Sequence, residues 1–212
     1  MLQAPLTAIA LGALLGLRHA TDADHVVAVT AIVARERSLG RAAGIGALWG
    51  IGHTLTLLVV GGAIVTFRLV IPPRIGLGLE FSVALMLIVL GFTNLRARDD
   101  APRATIRPFL VGLVHGLAGS AAVALLVLAT IRGTLEALVY LFVFGLGTIA
   151  GMMAVTMLFA APAMYAGARV TRFQQRIRFA AGALSIAFGV LLAHELIVDG
   201  GLFAAVPTSV PR

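Results

Sequence analysis

Long apolar stretches follow one another along this chain, parted by short polar segments that carry most of its arginines. They cover residues 6–34, 43–67, 76–95, 108–131, 134–160 and 178–198, each about as long as the roughly 20 residues a helix needs to cross a bilayer, or longer. The pattern predicts an all-α, polytopic membrane protein of about six transmembrane helices. The first stretch is longer than one crossing requires, so its helix must tilt, bend or break. It is also interrupted chemically. Arg18-His19-Ala20-Thr21-Asp22-Ala23-Asp24-His25 places five ionisable side chains in eight residues, while Leu6 to Leu17 and Val26 to Ala34 on either side carry no charge. On helix-insertion scales Arg18, Asp22 and Asp24 together cost on the order of 8–10 kcal/mol at mid-membrane. Ionisable residues held at such a cost mark a functional site.

The arginines set an orientation. Arg35, Arg37 and Arg41 follow the first stretch, Arg96, Arg98, Arg103 and Arg107 the third, and Arg169, Arg172, Arg176 and Arg178 the fifth. The opposite side holds only Arg68, Arg74, Arg132 and Arg212. The positive-inside rule then puts both termini away from the cytoplasm. The halves also echo each other. Leu15-Gly16-Leu17-Arg18-His19 returns 96 positions later as Val111-Gly112-Leu113-Val114-His115, and Leu48-Trp49-Gly50-Ile51-Gly52-His53 returns 95 later as Val143-Phe144-Gly145-Leu146-Gly147-Thr148. Three spans per half is an odd number, so the halves would be inserted in opposite directions, the inverted-repeat layout of many secondary transporters. The expected division is a first three-helix repeat over 1–95, a cytoplasmic linker over 96–107, a second repeat over 108–198 and a short tail over 199–212. Glycines spaced by four, such as Gly12/Gly16 and Gly112/Gly116, predict close helix crossings, and Pro162 is expected to end the fifth span.

Composition narrows the function further. Of 212 residues 60% are hydrophobic and only 12% charged, about half the charged share of soluble domains. A net charge of +7 does not signal nucleic acid, because every basic residue is an arginine and most lie in short loops rather than on one reading face. The absence of cysteine excludes disulfides, thiolate metal sites and cysteine nucleophiles. The N-terminal Met-Leu-Gln-Ala-Pro lacks the charged region of a signal peptide, so the first apolar stretch reads as a span.

The candidate ligands are His19, Asp22, Asp24 and His25 on the first span, His53 on the second and His115 on the fourth. Imidazole with carboxylate suits a borderline divalent ion such as nickel, cobalt or zinc. Met152, Met153 and Met157 read as gap-filling packing rather than a copper(I) site. On a straight helix His19 and His25 lie about 120° apart, so a common ion requires the helix to unwind or kink near Thr21. Asp22 stands four residues after Arg18, a spacing that predicts an ion pair and leaves Asp24 with the histidines as the metal-facing set. His115 competes with a purely packing role. His194 and Glu195 read as interfacial, and Glu80 and Glu136 as carboxylates near helix starts, with no site assigned.

The stretch from Arg18 to His25 resembles the signature of the nickel/cobalt transporter superfamily, whose H-x4-D-H core falls on His19, Asp24 and His25. Gly52-His53-Thr54 is similar to that family's second histidine motif. The likeness is strong over the first two spans and looser beyond. Larger members carry eight spans and acidic second-half motifs, whereas Gly112 to Ser120 holds a histidine and no acid, so the chain looks more like the short, urease-accessory-type members. The resemblance implies carriage of Ni2+ or Co2+ as substrate, with His19, Asp24 and His25 as core ligands and His53 as an accessory one. No resident cofactor and no enzymatic activity are expected. The partners are the ion and a bacterial-type cytoplasmic membrane. No phosphate-binding loop is visible, so uptake would draw on the membrane potential. Proton-coupled export, an intramembrane zinc hydrolase and a non-transporting metal-delivery subunit are the competing readings.

Overall fold

The computed structural model describes residues 3–34, 36, 38–96, 106–117, 130–131, 133–165 and 171–204. Among the described residues all regular structure is helical: α1 (Gln3–His19), α2 (Ala23–Val33), α3 (Leu39–Phe67), α4 (Pro73–Arg96), α5 (Arg107–Leu117), α6 (Thr134–Tyr165) and α7 (Thr171–Val198). Four stretches among the described residues are long and apolar enough to cross a membrane: Leu39–Phe67, Pro73–Arg96, Thr134–Pro162 and Gln175–Val198.

The ends of these helices follow local chemistry. Ser38 caps α3, its hydroxyl accepting from the Arg41 amide at 3.4 Å, and Arg68 closes the helix in the left-handed conformation at φ 51°. Pro73 opens α4, where its missing N–H would have had no partner. The sequence expectation for Pro162 needs correction. α6 runs past it to Tyr165, because a proline this close to a helix end sacrifices one backbone bond and leaves the rest intact. Glu136 does sit in the first turn of α6, whereas Glu80 lies two turns inside α4 and is half-buried. Of the stretch expected over 108–131, residues 118–129 lie outside the described residues, as do 97–105 of the linker and 205–212 of the tail.

The first expected span is two helices. α1 stops at His19 and α2 starts at Ala23, and the three residues between them form a turn. α2 is apolar around most of its circumference, and His25, Val27, Ala28, Val29, Ala31 and Val33 are all buried. Such a helix belongs in an interior. It packs against α4, α6 and α7, and its side chains share a core with Trp49, Leu87, Val111 and Met152.

Around α2 the longer helices pack in a regular scheme: α3 on α6, α4 on α7, α1 on α6 and α5 on α3. The last two crossings are built alike. In one, Gly16 abuts the backbone of Phe144 and Thr148, and Gly147 abuts Ala13. In the other, Gly112 abuts the backbone of Trp49 and His53, and Gly52 abuts Phe109. At each of these glycines an added Cβ would collide with a carbonyl group across the interface. Large apolar side chains cover much of the outer surface, among them Leu14, Val59, Val89, Leu158 and Leu191, each more than half exposed.

Candidate metal centre

The site begins at the turn between α1 and α2. Thr21 takes the Arg18 carbonyl twice, its amide donating at 2.8 Å and its hydroxyl at 2.6 Å, so the i→i−4 ladder stops there. Asp22 is extended (φ −62°, ψ 149°) and serves as the N-cap residue of α2, yet its side chain makes no cap bond. Its carboxylate turns back instead and accepts from His19 Nδ1 at 2.8 Å. The break near Thr21 that convergence of His19 and His25 demanded is therefore present.

Four histidines from four helices meet at this break. His19 ends α1, His25 stands in the first turn of α2, His53 projects from α3 and His115 from α5. All are at least 95% buried. The ring centroids of His19 lie 4.6 Å from His25 and 5.0 Å from His53, and His25 and His115 are 4.2 Å apart. Two hydroxyls just after His53 fix its register on α3: Thr54 donates to the Gly145 carbonyl at 3.1 Å, and Thr56 to the Leu113 carbonyl at 3.1 Å.

The carboxylates lie behind the imidazoles. His25 Nδ1 donates to Asp24 Oδ1 at 3.0 Å, and His115 Nε2 donates to the other oxygen of Asp24, also at 3.0 Å. Asp22 holds His19 in the same manner. This hydrogen-bond pattern assigns Nδ1–H to His19 and His25 and leaves Nε2 as the lone-pair nitrogen of each ring. His19 Nε2 then faces His53 Nε2 at 3.2 Å. His25 Nε2, His53 Nδ1 and His115 Nδ1 are buried and have no hydrogen-bond partner. Each such orphan costs about 1–3 kcal/mol. The donors form two overlapping groups, His19–His25–His53 and Asp24–His25–His115, and within each group the ligand atoms lie within 4.8 Å of one another. Nitrogens bound about 2.0–2.1 Å from one ion stand roughly 3–3.5 Å apart, so small side-chain movements would close either group. Imidazoles oriented by carboxylates are the usual surroundings of a divalent transition metal.

The expected Arg18–Asp22 pair does not form. Among the described residues Asp22 is paired with His19, and the Arg18 side chain is exposed. The i,i+4 spacing brings two side chains together only on a continuous helix, and this helix ends between them. His194 and Glu195 are exposed and stand apart from the cluster. Trp49 is a component that sequence reasoning missed. Its indole stacks on His25 at 6.0 Å and 9° and lies 5.6 Å from His115, walling the cluster on that side. Its position four residues before His53, on the same face of α3, was the available signal.

Fold and site together define a protein that is helical throughout its described residues, with several candidate spans and a buried imidazole–carboxylate centre at a broken helix. The urease accessory protein UreH of Bacillus sp. (strain TB-90) is 34% identical to this chain over 218 residues, an alignment that covers 93% of this chain and 95% of the relative. No family model matches the chain, and no solved structure matches it. The chain belongs to the UreH family of urease accessory proteins, a family of accessory factors rather than catalysts.

Proposed function

We propose that this chain is an integral membrane transporter of the nickel/cobalt class, carrying Ni2+ inward, with Co2+ as a second cargo. The observation that carries the reading is the convergence of four buried histidines at a helix break, with partnerless ring nitrogens. Such a centre is costly to keep empty and chemically matched to a borderline divalent ion. The name of the UreH relative attaches it to urease, and the likeness of Arg18 to His25 to the nickel/cobalt signature supplies the metal. Both nearby carboxylates are engaged by imidazoles. Neither is placed as the general base a zinc hydrolase would need.

Two inverted three-helix repeats, six spans in all, make the scaffold. In support, the contacts of Gly16 with Phe144 and Thr148 reappear 95–96 positions on as those of Gly112 with Trp49 and His53. The exposed apolar side chains of α3, α4, α6 and α7 face lipid, and both termini lie outside the cytoplasm. A membrane potential of 100 mV contributes about 4.6 kcal/mol for a divalent cation, enough to hold a gradient on the order of 10³-fold without ATP. The ion exchanges water for imidazole near mid-membrane, and rocking of one repeat against the other opens the site to the opposite side.

Flux of radioactive nickel into proteoliposomes, with and without an imposed inside-negative potential, tests this. Potential-driven uptake is the expected result. Flux indifferent to potential removes the uniport mechanism, and tight binding without flux makes the chain a metal-delivery subunit.

A further inference from the structure

Five ligand residues gather at the centre, a dense set for a cargo ion that must also leave. They fall into two groups that share a single residue, His25, and the shared ring is the informative feature. Its Nδ1 faces Asp24 at 3.0 Å, while its Nε2 is fully buried and has no partner. Nδ1 is thus the nitrogen on the side of Asp24, and the partnerless Nε2 is the one left to serve the set with His19 and His53.

We propose that the centre comprises two adjoining, mutually exclusive stations for a divalent cation, with His25 as the pivot between them. This rests on the transport reading above and refines it. The first station is formed by His19, His25 and His53, with Asp22 and Asp24 orienting the first two rings from behind. The second is formed by Asp24, His25 and His115. A neutral imidazole has one lone pair, so His25 cannot complete both stations at once. As the ion crosses, His25 and His115 each give the proton of one ring nitrogen to water entering with the ion and take one back on the other nitrogen, so the proton count is unchanged. His25 holds its proton on Nδ1 while the first station is filled and on Nε2 while the second is filled. His115 holds its own on Nε2 and then on Nδ1, the nitrogen now buried without a partner. The second station replaces an imidazole with a carboxylate, so the two differ in ligand field. Trp49, stacked on His25 at 9° and tilted by 38° to His115, bounds the path between them.

The test uses the full-length protein in detergent, with Ni2+ for equilibrium dialysis and Co2+ for visible absorption. His53→Gln removes a ligand of the first station only, and His115→Gln removes one of the second only, with an amide that can still donate to Asp24. Wild-type protein should bind one ion per chain. Each single variant should still bind one ion, the one that keeps the tighter station within about twofold of wild type and the other about 10-fold or more weaker, and the two cobalt spectra should differ because the remaining ligand sets differ. His25→Gln should abolish both. In proteoliposomes His115→Gln should bind yet lose most of its nickel flux. Two ions per wild-type chain, or a His115→Gln protein with wild-type affinity, spectrum and flux, overturns the two stations and leaves the transport reading intact. Failure of the wild-type protein to bind either ion overturns the transport reading itself.

Discussion

At the scale of single residues, the carboxylates and the arginine exchanged the roles their spacing implied. Asp22 and Asp24 orient imidazoles, and Arg18 is exposed. The residue types were legible because charged groups in an apolar span are conspicuous. The pairing was not, because a four-residue spacing carries meaning only along an unbroken helix. Asp24→Asn should weaken nickel binding by about 10–100-fold, the usual effect of losing a carboxylate behind a ligand imidazole, with little change in thermal stability. Arg18→Ala should leave that affinity within about twofold, since an exposed side chain this far from compensation contributes little. Equal losses in the two variants would restore the Arg18–Asp22 pair. Trp49 is the only tryptophan in the chain and lies against His25. Nickel addition should therefore quench its fluorescence in the wild-type protein and fail to do so in His19→Ala. A tryptophan in an apolar span ordinarily reads as packing, which is why its place beside the site went unnoticed in the sequence.

At the scale of elements, the turn at Ala20–Asp22 converts one long apolar stretch into two helices and collects four rings at their junction. Excess length and an impossible angular spacing foretold a break, and Thr21 supplies its local cause. Thr21→Val removes the hydroxyl bond to the Arg18 carbonyl while keeping the shape of the side chain. It should loosen the turn and lower nickel affinity more than it lowers the melting temperature. The glycine crossings make a second prediction. Gly16→Ala and Gly112→Ala each force a methyl group against a facing backbone carbonyl, and overpacking of this kind costs about 1–3 kcal/mol. Thermal melts in detergent should show similar losses for both. Gly112→Ala should in addition reduce nickel binding, because the displaced backbone is that of Trp49 and His53. The glycine spacing was readable in the sequence. Which helix each glycine meets was not, because a four-residue period identifies a face and leaves its partner open.

For the whole molecule, the four main helix contacts among the described residues map onto one another when α1 is exchanged with α5, α3 with α6 and α4 with α7. The chemistry does not follow. Position 148, which corresponds to His53, is a threonine whose hydroxyl is spent on the Phe144 carbonyl, and position 144, which corresponds to Trp49, is phenylalanine. The internal echo in the sequence agrees in spacing with these contacts, and the stretch from Gly112 to Ser120 that answers the motif holds His115 but no acid. The α2 N-terminus, which opens onto the centre, has a kinetic consequence. Its first-turn amides, of which that of His25 donates to Asp24 at 2.9 Å, carry about half a positive charge, aimed at the proposed cation site. Asp24 in the first helical turn offsets that field, but a cation there never experiences the full attraction of the carboxylate. The same dipole that makes the resting site tolerable thus shortens the dwell time of the ion. On the transport reading, a donor cluster that would otherwise hold nickel tightly becomes a stop brief enough for turnover.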